Sequence, residues 1–342
     1  MNNDNNHQSL ELTEHIRLRS GMYIGKLGEG SNPDDGIYTL LKVIIDNAVD
    51  EFRSGYGRNI DISIKFSRYV SVRDYGRGIP FSSIAQVVTH TVADGIREGK
   101  QSCAKYKSVG MGGIGLCVVM ALSKEFKIYS YCSGQCSMAH YIRGVEASSR
   151  EYQTHEPDGL QVVFVPDDNV FGNFSFREEY VSDMIKRYSH LNGGLELSLN
   201  REPFLSPDGL KDRVRDIAED NAVSEPVHLV GQDIEIAFTQ TVAPTGCVET
   251  YVNGHRTKSG GPHEDALMEA LAERFDVNNL VVVMNIRLGD PVFVDQGKNE
   301  LGSKYMWEGY DGIGKREHGQ TIKGFIKEFL SEEFLHPATF LQ

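Results

Sequence analysis

Apolar residues recur at three- and four-residue steps between residues 36 and 53, where the chain reads GIYTLLKVIIDNAVDEFR. This spacing gives an α-helix one continuous apolar face, so we predict a helix that packs on a sheet. At 100° per residue, the side chains of Val43, Asn47, Asp50 and Glu51 fall together beside that face. An amide and two carboxylates in this position can line a pocket, although the pattern alone also fits a solvated helix surface.

Alternation of apolar and polar residues follows over 59–66, and a second strand pattern over 69–73 predicts a hairpin. The second strand runs into Asp74 and then Gly76 and Gly78. A turn-initiating aspartate before glycine is common, so this segment by itself is a weak signal.

A glycine-rich segment, KSVGMGGIG at 107–115, runs directly into the apolar stretch LCVVMALS and predicts a loop that opens a helix. Such a helix N-terminus offers backbone N–H groups and a positive dipole end to phosphates. The signal is the order of the three segments: a helix with polar groups at its edge, a strand ending in Asp-x-Gly-x-Gly, and a glycine loop.

The remaining pattern alternates strands and helices in both halves of the chain, which predicts two α/β sandwiches, each with helices on one face of a sheet. The predicted helices cover 82–96, 176–191, 263–275 and 318–335, and the predicted strands cover 125–131, 139–145, 160–166, 194–199, 233–242, 247–254 and 279–288. The polar stretch 97–109 is expected to form a mobile lid.

At 342 residues the chain is long enough for about two domains. We expect a disordered lead-in over 1–14, a first domain over 15–205, and a second over 206–342, with turn chemistry in LSPDGLKD at the boundary. No apolar run reaches the length of a membrane span, and the polar N-terminus lacks the features of a signal peptide. We therefore expect a cytoplasmic protein.

Charge and cysteine content narrow the function classes. A net charge of −13 makes the chain a poor DNA binder by itself, because non-specific affinity depends on basic groups. The five scattered cysteines fit a reducing compartment and lack the paired spacing of a structural zinc site.

Six ordered motifs resemble the B subunits of type IIA DNA topoisomerases, those of gyrase and of topoisomerase IV. They are HIRLRSGMYIG at 15–25, DNAVDE at 46–51, RDYGRGIP at 73–80, KYKSVGMGGIG at 105–115, YVNGHRTKSGGPHE at 251–264 and PVFVDQGKNELGS at 291–303. The resemblance implies an α/β fold of the α+β two-layer type: a GHKL (Bergerat) ATP-binding domain followed by a transducer domain of the ribosomal-protein-S5-like β-α sandwich type.

The resemblance also implies roles for single residues. Asn47 would hold the Mg²⁺ of a bound Mg-ATP, Asp74 would accept the adenine amino hydrogen, and Arg77 would lie against adenine and pair with Glu51. Lys298 would reach the γ-phosphate and Tyr23 would approach the nucleotide, although core packing is an alternative for Tyr23. The other nucleotide-binding positions implied are Asp50, Gly76, Gly78, Ile79, Pro80, Lys107, Gly110, Met111, Gly112, Gly113, Ile114, Gly115, Leu160 and Gln296.

Three positions depart from the family pattern. The family's catalytic glutamate, four residues before the asparagine, is replaced by Val43, which cannot accept a proton from water. A threonine of the adenine network is replaced by Leu160, and the transducer triplet Gln-Thr-Lys reads Gln296, Gly297 and Lys298. We therefore expect impaired hydrolysis, in either a divergent paralogue or an altered sequence.

The expected function is the ATP-binding, ATPase and transducer portion of a type II topoisomerase B subunit, in which nucleotide drives a homodimer gate for DNA strand passage. Its expected partners are a second copy of the chain, a topoisomerase A-type subunit and DNA in the full complex, with no membrane. Two alternatives stay open: a non-catalytic, nucleotide-gated dimerisation module, and a structural relic that binds no nucleotide.

Overall fold

A computed structural model describes residues 12–79, 81–89, 114–244, 246–295, 297–310 and 316–335. The chain divides into two compact units. The first comprises Met1–Ser189 and Gly194–Leu205, and the second comprises His190–Gly193 and Ser206–Gln342. No helix in the described part of the chain is long and apolar enough to cross a membrane.

One mixed sheet forms the framework of the first unit. Its strands are β1 (Asn59–Lys65), β2 (Tyr69–Asp74), β3 (Ser123–Cys132), β4 (Gln135–Ile142), β5 (Val145–Gln153), β6 (Gly159–Pro166), β7 (Glu196–Leu199) and β8 (Glu202–Phe204). They lie in the order β5-β4-β3-β6-β2-β1-β7-β8. Neighbouring strands are antiparallel, except that β1 and β7 run parallel.

The helices of this unit carry the apolar residues that cover the sheet. They are α1 (Gly21–Ile24), α2 (Gly36–Arg53), α3 (Phe81–Thr89), α4 (Gly115–Ala121), α5 (Asp168–Phe171) and α6 (Glu178–Leu191), preceded by a helix over 12–18. Helix α2 has the predicted bounds, and its apolar face is buried in the core against β2 and β6. Helix α4 packs on α2 and on β3 and β6, so the segment after the glycine loop lies beside the central helix.

The N-terminal helix and strand β5 are two examples of differences from the sequence-based expectation in the first unit. Residues 12–14 were expected to be disordered but lie in a helix, where Thr13 is buried and Leu12 packs on the core. Strand β5 was not predicted, because all nine of its residues are exposed and no apolar alternation marks it. Strand β5 is held in the sheet by backbone hydrogen bonds to β4.

A five-stranded sheet forms the framework of the second unit, in the order β12-β11-β13-β10-β9. These strands are β9 (Val227–Val230), β10 (Ile234–Gln240), β11 (Cys247–Val252), β12 (His255–Arg256) and β13 (Leu280–Ile286), and a separate hairpin pairs β14 (Glu308–Tyr310) with β15 (Arg316–His318). The helices are α7 (Leu210–Ala218), α8 (Pro262–Ala272) and α9 (Ile322–Leu335), with 3-10 turns at Glu219–Asn221 and Val277–Asn279. The last helix begins at Ile322 rather than at the predicted residue 318, because residues 316–318 are paired as β15.

The second sheet carries helices on both faces, which corrects the prediction of one covered face. The central strand β13 is buried at every residue. Val281 and Val283 pack in one cluster with α7, whereas Val282 and Met284 pack in another with α8 and α9. Successive side chains of a strand point to opposite faces, so an uninterrupted run of apolar residues indicates that both faces of the sheet are buried. The sequence of β13 therefore indicated that helices pack on both faces.

Candidate functional site

The carboxylate of Asp74 lies at the end of β2, where the chain leaves the sheet. It is only 5 % exposed. Its Oδ1 accepts hydrogen bonds from the backbone amides of Gly76 at 2.9 Å and Leu160 at 3.1 Å. Burial raises the pKa of Asp74, while these two amides and the charge of Arg73 act in the opposite direction. One oxygen is thus fixed by the backbone, and no described residue donates a hydrogen bond to Oδ2.

Glu51, in the last turn of α2, forms a two-pronged ion pair with Arg77. The guanidinium Nη2 lies 2.8 Å from Oε1 and Nε lies 3.1 Å from Oε2, and the Arg77 backbone amide also donates to Oε2 at 3.2 Å. Burial opposes ionisation of Glu51, but these bonds and the charge of Arg77 outweigh it and lower the pKa. The predicted pairing of these two residues is confirmed. The guanidinium also stacks on the ring of Tyr56, with 4.1 Å from Cζ to the ring centroid.

The turn that follows Asp74 is held by β3. The Ser130 hydroxyl accepts from the Ile79 amide at 2.6 Å and donates to the Ile79 carbonyl at 2.7 Å. Gly78 has a φ of 71°, and a methyl group there would lie 2.5 Å from the carbonyl oxygen of Tyr131. Only glycine fits this left-handed position against the neighbouring strand.

Helix α2 presents its polar edge as the spacing predicted. Asn47 and Asp50 are half-buried, and the Asn47 amide has no hydrogen-bond partner among the described residues. Val43, one turn earlier, is 5 % exposed and belongs to the apolar core. The buried carboxylate of Asp46 accepts a hydrogen bond from the Tyr188 hydroxyl of α6.

Other implied site residues lie on other elements of the first unit or outside the described part. Tyr23 packs partly on the core and its hydroxyl lies 2.9 Å from Nδ1 of His15. Ile114 precedes the buried helix α4, which begins at Gly115. Seven positions lie outside the described residues: Pro80, Lys107, Gly110, Met111, Gly112, Gly113 and Gln296.

Lys298 belongs to the second unit, on a loop organised by Asp295. Its Nζ lies 3.0 Å from Nε2 of His255 on β12 and 5.7 Å from the ring centroid of Phe293. The Asp295 carboxylate accepts from the backbone amides of Asn299 and Glu300 at 3.0 and 3.2 Å. Lys298 is thus half-buried at a defined position rather than on a loose surface loop.

Comparison with known proteins decides the family. The B subunit of DNA topoisomerase 4 from Borreliella burgdorferi is 37 % identical over 314 residues, covering 86 % of this chain and 51 % of that protein. The B subunit of DNA gyrase from Helicobacter pylori is 28 % identical over 336 residues, covering 86 % of this chain and 43 % of that protein. The chain belongs to the family of type II topoisomerase B subunits. It spans about half the length of these relatives. No family model matches it.

Solved structures give the fold of this B-subunit family. The B subunit of DNA gyrase from Myxococcus xanthus has a TM-score of 0.72 at 20 % identity, covering 96 % of this chain and 98 % of that one. The 43K ATPase domain of Thermus thermophilus gyrase B, determined in complex with an aminocoumarin, has a TM-score of 0.66 at 24 % identity, covering 94 % and 91 %. The predicted fold, a GHKL domain followed by a transducer domain, is confirmed.

The structure also reveals residues that the family motifs do not single out. Ser130 anchors the turn after Asp74, Tyr56 stacks on Arg77, and Arg73 is buried behind Asp74. Each acts through a contact between segments far apart in sequence, so no local pattern marks it. Arg73 stands at the start of the motif RDYGRGIP, but only its contacts with Pro157 and Tyr131 indicate a role for it.

Proposed function

We propose that this chain is the ATP-binding and transducer portion of a type II DNA topoisomerase B subunit. It binds Mg-ATP in the first unit, at the polar edge of α2 and the turn after β2. Nucleotide binding drives two copies together as a gate for DNA, and hydrolysis is slow because Val43 stands at the general-base position.

The arrangement at Asp74 carries this proposal. A buried carboxylate whose Oδ1 is already held by two backbone amides can offer its Oδ2 to an amino group such as that of adenine. Such a donor would also offset the cost of burying this charge. The Glu51–Arg77 pair borders the same turn, because the Arg77 amide bonds to Glu51.

The donor set also fits Mg²⁺, which the family fold implies. The half-buried Asn47 amide has no hydrogen-bond partner among the described residues, and an amide oxygen is a hard ligand of the kind that this ion prefers. Mg²⁺ binds through few protein ligands together with substrate phosphates and water, so a single amide suffices. When bound, the ion would neutralise phosphate charge, and Asn47 would orient it. The glycine loop at 107–115 and Lys298 remain the predicted phosphate contacts.

Slow turnover follows from the environment of Val43. The side chain is apolar and buried in the core, so it neither accepts a proton nor orients water. The Asp46 carboxylate is buried and already accepts a hydrogen bond from Tyr188, so it does not replace the missing base. Loss of a general base typically lowers the rate by about 10²–10⁴.

The remaining partners follow from the family. The net charge of −13 argues against DNA binding by this chain alone, so DNA would be held by the full complex with an A-type subunit. ATP would act through its higher affinity for the closed dimer than for the open state.

Titration with a non-hydrolysable ATP analogue and Mg²⁺ in a calorimeter tests the proposal. We expect binding that depends on Mg²⁺, dimer formation by light scattering at saturating analogue, and weaker binding by Asn47→Ala. Asn32→Ala, which changes an exposed amide of the same unit, is the matched control. No heat and no thermal stabilisation at saturating nucleotide would overturn the proposal and favour a fold that has lost its ligand.

A second candidate function is a nucleotide-gated dimerisation module without turnover. Val43 favours it, because a valine replaces the family's general base on α2 while the predicted metal and adenine residues, Asn47 and Asp74, are retained. Analogue-dependent dimerisation together with no phosphate release under multiple-turnover conditions would support this candidate over a slow ATPase.

A further inference from the structure

Arg73 is a buried cation that the family motifs leave without a role. It is 7 % exposed, although it lies at the end of a sheet strand next to the edge of the proposed site. Buried arginines are uncommon unless their donors are used. Here Nη1 donates to the backbone carbonyl of Asp74 at 2.7 Å, and Nη2 donates to the carbonyl of Pro157 at 2.5 Å.

Two aromatic rings fix the plane of the Arg73 guanidinium. Its Cζ lies 4.2 Å from the ring centroid of Tyr131 and 4.9 Å from that of Tyr75. The Tyr75 hydroxyl bonds to Asp61 at 2.7 Å, which holds that ring in place. The cation is thus oriented by stacking as well as by hydrogen bonds.

The two carbonyls that Arg73 joins belong to the two segments that hold the Asp74 carboxylate. Asp74 ends β2, and Pro157 lies just before β6, whose second residue Leu160 donates its amide to Asp74 Oδ1. Gly159, between Pro157 and Leu160 in the sequence, has a φ of 136°. A methyl group there would lie 2.3 Å from the Asp74 carbonyl oxygen and 2.7 Å from Arg73 Nη1. The turn before β6 therefore packs directly against Arg73.

We propose that Arg73 is a positioning residue for adenine selectivity: its guanidinium clamps the turn before β6 onto the end of β2 and so aims the Asp74 carboxylate at the base. This inference rests on the proposed nucleotide site. Because the clamp also places a positive charge beside Asp74, it favours the ionised carboxylate that accepts a hydrogen bond. The lysine side chain has no planar fork and cannot join both carbonyls in the same way.

The test compares ADP with IDP, which carries an oxygen in place of the adenine amino group and so lacks the donor for Asp74. For the unaltered chain with Mg²⁺, we expect ADP to bind about tenfold or more tightly than IDP, as for a hydrogen bond to a charged group. In Arg73→Gln we expect this preference to fall by about tenfold, with IDP affinity nearly unchanged. Arg73→Lys is expected to lie between the two.

Arg68→Gln is the matched control. Arg68 lies at the other end of the same hairpin and also stacks on an aromatic ring, 4.8 Å from the Phe174 centroid. It is expected to keep the full preference. If Arg73→Gln does not fold, the ADP-over-IDP preference of Arg73→Lys is compared with that of the unaltered chain instead.

The outcomes separate the two proposals. If the unaltered chain binds neither nucleotide, the proposed function fails and the role of Arg73 fails with it. If the unaltered chain prefers ADP and folded Arg73 variants keep that preference, or lose affinity for both nucleotides equally, only the role of Arg73 is overturned. Equal binding of ADP and IDP by the unaltered chain would also overturn it.

Discussion

The ammonium of Lys298 and the imidazole of His255 lie 3.0 Å apart, measured between Nζ and Nε2. An ammonium only donates, so Nε2 of His255 must be the acceptor and the ring hydrogen must sit on Nδ1. The neutral ring of His255 therefore holds Lys298 in place. Protonation of the ring would remove the acceptor and set two positive charges side by side.

Lys298→Ala is expected to weaken binding of a non-hydrolysable ATP analogue by about tenfold and to leave ADP binding unchanged, because the lysine is the predicted contact of the γ-phosphate. Isothermal titration with both nucleotides measures this difference. Lys304→Ala removes an exposed lysine of the same unit and is the control. An equal loss for ADP would show that Lys298 does not sense the γ-phosphate.

His255→Leu is expected to reduce the preference for the ATP analogue over ADP by only a few fold, because Lys298 remains and loses only its hydrogen bond to the ring. His255→Gln offers Lys298 another acceptor and is expected to retain more of the preference. The same pair of titrations checks both variants. If His255→Leu keeps the full preference, the contact does not position Lys298 for nucleotide.

Asp74→Asn is expected to weaken ADP binding roughly 10- to 100-fold, because the amide presents a donor where adenine also donates. Its thermal stability at neutral pH is expected to equal or exceed that of the unaltered chain. Burial raises the pKa of Asp74, so the ionised carboxylate costs stability above that pKa, and this cost disappears as pH falls towards the ordinary value of 3.8.

The stability gain of Asp74→Asn is therefore expected to shrink on acidification, which thermal melts at a series of pH values can measure. Glu202→Gln changes an exposed carboxylate of the same unit, on β8, and serves as the control. A large loss of stability at neutral pH would mean that ionised Asp74 supports the fold.

Val43→Glu is expected to raise the steady-state ATPase rate by about 10²–10⁴, because it restores a general base one turn before Asn47. The position is buried, so a polar side chain there is expected to lower stability by roughly 1–3 kcal/mol. Val43→Gln has the same shape without a proton acceptor and is expected to show the loss of stability alone. Equal rates in the two variants would exclude the base mechanism.

Acidification is expected to destabilise the second unit through His263. This ring is fully buried at the start of α8, its Nε2 lies 2.8 Å from the Thr257 hydroxyl, and its Nδ1 has no partner within the described residues. Burial lowers the pKa of His263 from 6.5 to about 4. The neutral ring is favoured in the fold, so stability is complete above pH 6.5 and falls by about 3 kcal/mol as the pH approaches 4.

Denaturant unfolding followed by tryptophan fluorescence measures this effect, because the single tryptophan, Trp307, belongs to the second unit. His263→Gln is expected to flatten the pH dependence between 6.5 and 4. His155→Gln, at an exposed position of the first unit, is expected to leave it unchanged. A pH dependence that survives His263→Gln would assign the effect to other groups.

The sequence predicted those helices and strands whose buried residues recur at regular spacing along the chain. Helix α2 is an example, because its apolar steps record directly which face is buried. Strand β5 was not predicted, because all its residues are exposed and show no apolar alternation. Helix α7 was not predicted either, because it directly follows a turn segment. Its buried residues Leu210, Val214 and Ala218 nevertheless have helical spacing.

The same distinction applies to the site. The Glu51–Arg77 pair was predicted from motifs, whereas Arg73 and Ser130 act through partners on other strands. Such contacts are set by strand register. A single sequence does not record the register between distant strands, so the roles of Arg73 and Ser130 become evident only from the structure.

Parallel pairing of β1 with β7 has a consequence for how the chain is made. Asn59 and Glu196 are partners in this ladder although 137 positions separate them. Pairing over such a distance is slow, because a long loop must close before any contact forms. A nascent chain that has not yet emerged as far as residue 196 therefore carries β1 as an open sheet edge, exposed to other strands during synthesis.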